Sequence, residues 1–149
     1  MKTLLLALCA LTAVAFAEPP KTDKTLAGKD ATLRDASGRL AGTATTSGKT
    51  TTYRDASGRM TGTASGSEKS QTFRDGSGRI AGTAATSGTN TTYRDASGRL
   101  SATASTSSNG TTTYRDASGR MTGTSSVSGD TITYRDASGR VTGTAKVKK

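Results

Sequence analysis

Polar and apolar residues along this chain follow a short two-residue period. Runs such as "TTTYR" (residues 50–54) and "RMTGT" (residues 59–63) set β-branched or aromatic residues between clusters of Asp, Ser and Gly. That is the pattern of short strands bounded by turns. No apolar stripe at i, i+3, i+4 and i+7 persists, and Thr, Ser and Gly are poor helix formers, so no helix is expected.

The same phrase recurs six times. It begins at Leu33, Tyr53, Phe73, Tyr93, Tyr114 and Tyr134, with intervals of 20, 20, 20, 21 and 20 residues. The one extra residue falls in "STSSNGTT", beside the turn signal Asn109-Gly110. A structural repeat tolerates an insertion confined to a loop. Each repeat reads as strand, tight turn, strand, looser turn. The tight turns are expected at Asp35 and Gly38, Asp55 and Gly58, Asp75 and Gly78, Asp95 and Gly98, Asp116 and Gly119, and Asp136 and Gly139. Asp accepts from the amide two residues on, and Gly takes the left-handed conformation that ends a type I turn with a G1 bulge. The looser turns, such as "TTSG" (residues 45–48), offer similar chemistry.

About a dozen short strands follow. The expected fold is all-β: six hairpin repeats in an elongated antiparallel meander, spanning residues 31–145. If both turns are three-residue loops, Arg54 faces Met60, Tyr53 faces Thr61, Thr52 faces Gly62, Leu40 faces Arg54 and Ala41 faces Tyr53. One face then mixes aliphatic residues, glycines and the first arginines. The other mixes aromatics, threonines, aspartates and the second arginines. A register shifted by one sets Tyr53 over Gly62 instead, and the sequence leaves both open because one slip moves every side chain across the sheet. The rival architecture is a parallel β-solenoid with 20-residue coils, which would stack arginine on arginine; the hairpin-type turns favour the meander. The expected core is Leu33, Leu40, Tyr53, Met60, Phe73, Ile80, Tyr93, Leu100, Tyr114, Met121, Tyr134 and Val141. The outermost strands, near Leu33 and Val141, have no sequence-encoded caps apart from nearby Lys, which predicts edge-to-edge self-association into oligomers or fibres.

Composition sets the compartment and limits the core. "MKTLLLALCALTAVAFA" (residues 1–17) reads as a secretory signal peptide, with basic Lys2, an apolar stretch and the small-x-small site Ala15-Phe16-Ala17. It is shorter than the roughly 20 apolar residues of a membrane span. A secreted or periplasmic chain of residues 18–149 is therefore expected, with a flexible linker at 18–30 and a basic tail at 146–149. Cys9 is the one cysteine, so the processed chain has no disulfide. Only sixteen apolar side chains larger than alanine remain after residue 17, too few for a thick core. Repeats that gain stability by stacking neighbours need less.

The copies resemble the YD, or Rhs, repeat of secreted bacterial proteins, whose core is Asp-x-x-Gly-Arg-Leu. Asp35, Gly38, Arg39 and Leu40 match it, as do Asp95, Gly98, Arg99 and Leu100. Every copy here has Arg before Asp, where that family usually has Tyr. They are also similar to choline-binding and cell-wall-binding repeats, through Tyr53, Asp55, Gly58 and Met60. The ligand pocket of those repeats is built from tryptophan, and this chain has none. The resemblance covers residues 33–145 and implies tandem hairpins in an envelope or extracellular protein.

Chemistry in the sequence points to binding. There is no histidine, so His-based acid-base work and Ser-His-Asp triads are excluded. Each turn carries a single Asp, whereas calcium needs several converging carboxylates and zinc needs His or Cys. No catalytic residue, metal or cofactor is expected, and hydrolysis is a remote reading. Residues 18–149 hold twenty basic and eleven acidic side chains, a formal +9. Twelve arginines flank the aspartates in pairs: Arg34 and Arg39, Arg54 and Arg59, Arg74 and Arg79, Arg94 and Arg99, Arg115 and Arg120, Arg135 and Arg140. Two readings compete. The arginines neutralise Asp in a cross-strand ion-pair network worth ~0–1 kcal/mol per exposed pair. Alternatively they form a basic track for an anionic polysaccharide, lipopolysaccharide or envelope protein. Nucleic acid fits a secreted chain less well. A structural spacer without a ligand is the second reading of the whole. Threonine rows such as Thr61-x-Thr63 raise ice binding as a remote one, against which the arginine rows argue. Asn90 and Asn109 fit the glycosylation sequon.

Overall fold

The computed structural model describes residues 29–148; the expected signal peptide and most of the expected linker lie outside them. Twelve strands run in chain order: β1 (Ala31–Asp35), β2 (Leu40–Ser47), β3 (Thr50–Asp55), β4 (Met60–Ser67), β5 (Ser70–Asp75), β6 (Ile80–Ser87), β7 (Asn90–Asp95), β8 (Leu100–Thr106), β9 (Thr112–Asp116), β10 (Met121–Ser128), β11 (Thr131–Asp136) and β12 (Val141–Val147). Each pairs antiparallel with the next, so the hairpin meander is present and the parallel solenoid is not.

The sheet is closed, which corrects the elongated open form. β1 pairs β12 from Ala31↔Val147 to Asp35↔Gly143, making a twelve-stranded barrel. The expected free edges at Leu33 and Val141 therefore do not exist, and edge-to-edge association loses its template. A single open sheet would leave its tyrosine row against water. Rolling the sheet up buries that row on itself. The last strand takes in Lys146 and Val147, so these residues belong to the wall.

Register explains which side chains go inward. In each hairpin the tight turn is followed by a bulge. Arg54 pairs Met60, but Tyr53 pairs Gly62, leaving Thr61 as the extra residue. On the other side of β3, Thr43 pairs Arg54 and Ala44 pairs Tyr53. Of the two registers left open, the pair Tyr53–Gly62 of the shifted one is present; Tyr53–Thr61, Thr52–Gly62, Leu40–Arg54 and Ala41–Tyr53 do not form, while Arg54–Met60 does. Without a bulge, Met60 and Gly62 would share a face. The extra residue separates them: Gly62 joins Tyr53 inside, and Met60 joins Arg54 outside.

The interior is built from large residues on odd strands and small ones on even strands. Leu33, Tyr53, Tyr93, Tyr114 and Tyr134 are buried, with Phe73 half-buried between two clusters. Opposite them lie Ala44, Ala64, Ala84, Ala104 and Ala145, with Ser125 at the matching place in β10. Large against small is how barrel interiors fill. Tyr114 and Ser125 share a hydrogen bond of 3.0 Å between their hydroxyls. Burial raises the Tyr53 phenol well above its ordinary value, and the neighbouring Tyr93 adds to that.

Six of the twelve expected core residues are outside. Leu40, Met60, Ile80, Leu100, Met121 and Val141 are 38–49% exposed. Each is the first residue of its strand and the cross-strand partner of a first arginine, from Arg34↔Leu40 to Arg135↔Val141. A core this thin suffices because it needs only one face of one closed sheet.

Candidate functional site

Closure puts all six Asp-x-Ser-Gly turns at one mouth of the barrel and the shorter turns at the other. Each tight turn is made the same way. The Gly58 amide donates to the Asp55 carbonyl at 3.0 Å, and the Asp55 amide donates to the Arg59 carbonyl at 3.0 Å. Gly58 sits at φ +84°, where a Cβ would be strained. This is the type I turn with a G1 bulge that the sequence predicts. Gly38, Gly78, Gly98, Gly119 and Gly139 repeat it, each donating its amide at 3.0 Å to the carbonyl of Asp35, Asp75, Asp95, Asp116 or Asp136.

Asp35, Asp55, Asp75, Asp95, Asp116 and Asp136 are each the last residue of a strand, because their amides still pair across the hairpin. The two residues between each Asp and Gly are the central pair of that four-residue turn. Gly38, Gly58, Gly78, Gly98, Gly119 and Gly139 follow the pair, exposed, where the chain bends back toward the next strand.

The aspartates serve their own turns. Asp55 Oδ1 accepts from the Ser57 amide at 2.9 Å, the Ser57 hydroxyl at 2.6 Å and the Arg59 amide at 3.0 Å. The Ser57 hydroxyl, and then the backbone amides, hold the Asp55 carboxyl below the ordinary range, and the Arg59 charge adds least. Asp35, Asp116 and Asp136 are lowered with the same leading cause, their own turn serine. Asp95 is lowered first by the Arg99 amide.

The arginines divide into two sets. The first of each pair braces its turn: Arg54 Nη1 donates to the Gly58 carbonyl at 2.9 Å. Arg34, Arg74, Arg94, Arg115 and Arg135 repeat the bond at 2.8–3.0 Å, onto Gly38, Gly78, Gly98, Gly119 and Gly139. The second of each pair is exposed and, among the described residues, its side chain makes no hydrogen bond or ion pair. These are Arg39, Arg59, Arg79, Arg99, Arg120 and Arg140. The expected Arg–Asp network is therefore absent: the one ion pair among the described residues joins Lys146 and Asp130 at 4.0 Å, at the opposite mouth. The carboxylates bond amides and hydroxyls first, and the second guanidinium acts on them only as the weakest of the influences, at no ion-pair contact.

Strand geometry sets the scale of the ring. Each repeat adds two strands about 4.8 Å apart, tilted by about 40°, so neighbouring turns stand roughly 12 Å apart. Six of them enclose a mouth about 24 Å across. Each turn contributes two positive charges and one negative.

The opposite mouth is less regular. Ser47 pairs Thr50 across a two-residue turn, Gly48-Lys49, with Gly48 at φ +58°. Ser87 pairs Asn90 and Ser128 pairs Thr131 in the same way. The looser turns are thus tighter than expected, except where the extra residue lies. There the Gly110 amide donates to the Ser107 carbonyl at 3.0 Å, and Asn109 Oδ1 accepts from the Thr111 amide at 3.0 Å. That loop copies the Asp-x-Ser-Gly turn, with Asn supplying the acceptor. Asn90, the other sequon residue, begins β7.

The sequence signalled the paired arginines and missed their division of labour. The signal was present in the bulge: only the first arginine lies on a strand, within reach of the Gly carbonyl four residues on. No protein-family model and no curated protein matches this chain.

Proposed function

We propose that this protein is an exported, non-enzymatic barrel that binds an anionic polymer of the cell envelope through the guanidinium ring at one mouth. The observation that carries the reading is the set of six second arginines, exposed and, among the described residues, with side chains in no hydrogen bond or ion pair, on a rim whose carboxylates bond amides and hydroxyls. Closure supports it further, because it gathers charges that an open meander would string out along an edge. A ring of one dominant sign raises the local concentration of an oppositely charged chain. The turns fix where each arginine leaves the backbone, so binding has to order the side chains but not the loops that carry them.

Binding to immobilised heparin, a soluble polyanion, tests this. The wild-type barrel is expected to bind at low ionic strength and to elute as salt rises, since exposed charges are screened beyond about 8–10 Å at physiological salt. Replacing all six second arginines by Gln is expected to abolish retention while leaving the fold intact, because those side chains brace nothing. Undiminished retention of that variant would refute the assignment. Wild-type flow-through at low salt would leave the spacer reading in its place.

A further inference from the structure

The aliphatic residues excluded from the core form a second ring directly beside the arginines. Leu40, Met60, Ile80, Leu100, Met121 and Val141 each follow a second arginine in sequence and pair with a first arginine across the hairpin. The outer wall beyond them continues mainly in threonine and serine. Such a belt on the outer wall, 38–49% exposed, is apolar surface without a structural use.

We infer that the arginine mouth docks on a membrane surface of anionic phospholipid, with the guanidiniums at the phosphates and the aliphatic belt at the acyl boundary. This rests on the polyanion-binding reading of the ring and names the partner that the second ring selects. A soluble polymer uses the charges alone; a lipid surface uses both. The depth agrees. Leu40 stands two residues from Gly38 at the turn, about 7 Å at ~3.3 Å per residue. Interfacial proteins sink their apolar side chains about 5–10 Å into that boundary. An arginine stem can lie along apolar surface, and each first arginine pairs with a belt residue while its head is held at the turn. The wall limits the depth. Outward positions beyond the belt, such as Thr43, Thr45, Thr50 and Thr52, are polar. A barrel that spans lipid instead carries an apolar band about 25 Å tall. The barrel therefore sits on the membrane by its mouth.

Co-sedimentation with phosphatidylcholine vesicles, with and without about a third phosphatidylglycerol, tests the inference, with heparin binding measured in parallel. The test variant is the triple substitution Leu40→Ser, Ile80→Ser, Leu100→Ser. Its sites are exposed, and circular dichroism checks that it folds. The wild type is expected to bind anionic vesicles and not neutral ones. The triple variant is expected to lose at least tenfold in vesicle affinity, from roughly half a side chain of burial forgone at each site, and to keep its heparin affinity within about twofold. The chain has no tryptophan, so Met60→Trp supplies a clean probe whose emission should shift to the blue on anionic vesicles. Heparin binding without vesicle binding would overturn the membrane inference and leave the polymer reading standing. Equal vesicle binding by the triple variant and the wild type would overturn it as well. Failure to bind either probe would overturn both.

Discussion

Leu33 and Leu40 are seven residues apart, and pattern alone places both in the core. The structure separates them. Leu33 is 2% exposed, paired with Gly42 on one side and Ala145 on the other, at the seam where β1 meets β12. Leu40 is 46% exposed on the outer wall. Leu33→Ala should cost about 2–5 kcal/mol, the transfer term plus a cavity that closed walls cannot collapse to fill. Leu40→Ala should cost about 0–1 kcal/mol, since half its side chain already faces water. Domains of this size are stable by about 5–15 kcal/mol, so the first change removes a large fraction. In melting temperature the gap is on the order of 10 °C, at about 3–5 °C per kcal/mol. Urea unfolding followed by tyrosine fluorescence and far-ultraviolet circular dichroism reads both values. Costs within about 0.5 kcal/mol of each other would refute the assignment of inner and outer faces, and with it the bulge that creates them.

Acid should weaken the barrel within a defined window. Aspartates whose carboxyls are lowered by folding contribute above their unfolded value of 3.8, and that contribution is lost as pH falls through the lower folded value. The urea midpoint is expected to stay level from about pH 7 to 5 and to fall below about pH 4. Asp55→Asn, Asp116→Asn and Asp136→Asn together should flatten that fall, because Asn keeps the acceptor and removes the titration; an unchanged acid limb would count against the turns as its source. Gly58→Ala should destabilise by about 1 kcal/mol, because φ is +84° there, and Gly58→Asn by less; equal stability of Gly and Ala variants would contradict the turn geometry. In a spectrophotometric titration, Tyr53 should stay protonated past about pH 10, the usual phenol range, so a Tyr53→Phe variant should show the same ionisation amplitude as wild type near that pH.

The strands, the tight turns and the repeat were legible because each is written in local chemistry. Asp55 and Gly58 state their turn in four residues, and Tyr53 states its strand. Faces were harder to read because one unmarked residue decides them. Thr61 looks like any other strand threonine, yet as the bulge it moves Gly62 inside and leaves Met60 out. Closure was hidden for a different reason. The pairing of Ala31 with Val147 joins residues from opposite ends of the repeat array, and no single repeat encodes it. It follows from burying a tyrosine face that has no second layer to cover it. Of the candidate site, the arginines could be named and their partners could not. The spacing Arg-Asp-x-Ser-Gly-Arg suggests ion pairs, but the Asp lone pairs go first to the turn's own serine hydroxyl and amides, which the turn holds in place. Only the geometry shows that the second guanidinium is left over.

Closure gathers six turns into one mouth and buries the tyrosines. Thr32 and Lys146 pair directly across the β1–β12 seam. In a Cys9→Ser background, Thr32→Cys and Lys146→Cys should form an intramolecular disulfide on mild oxidation. The product should be a monomer that runs faster on a non-reducing gel and melts higher than its reduced form. Free thiols after oxidation, or disulfide-linked dimers and ladders in place of the cross-linked monomer, would show an open sheet and contradict the ring.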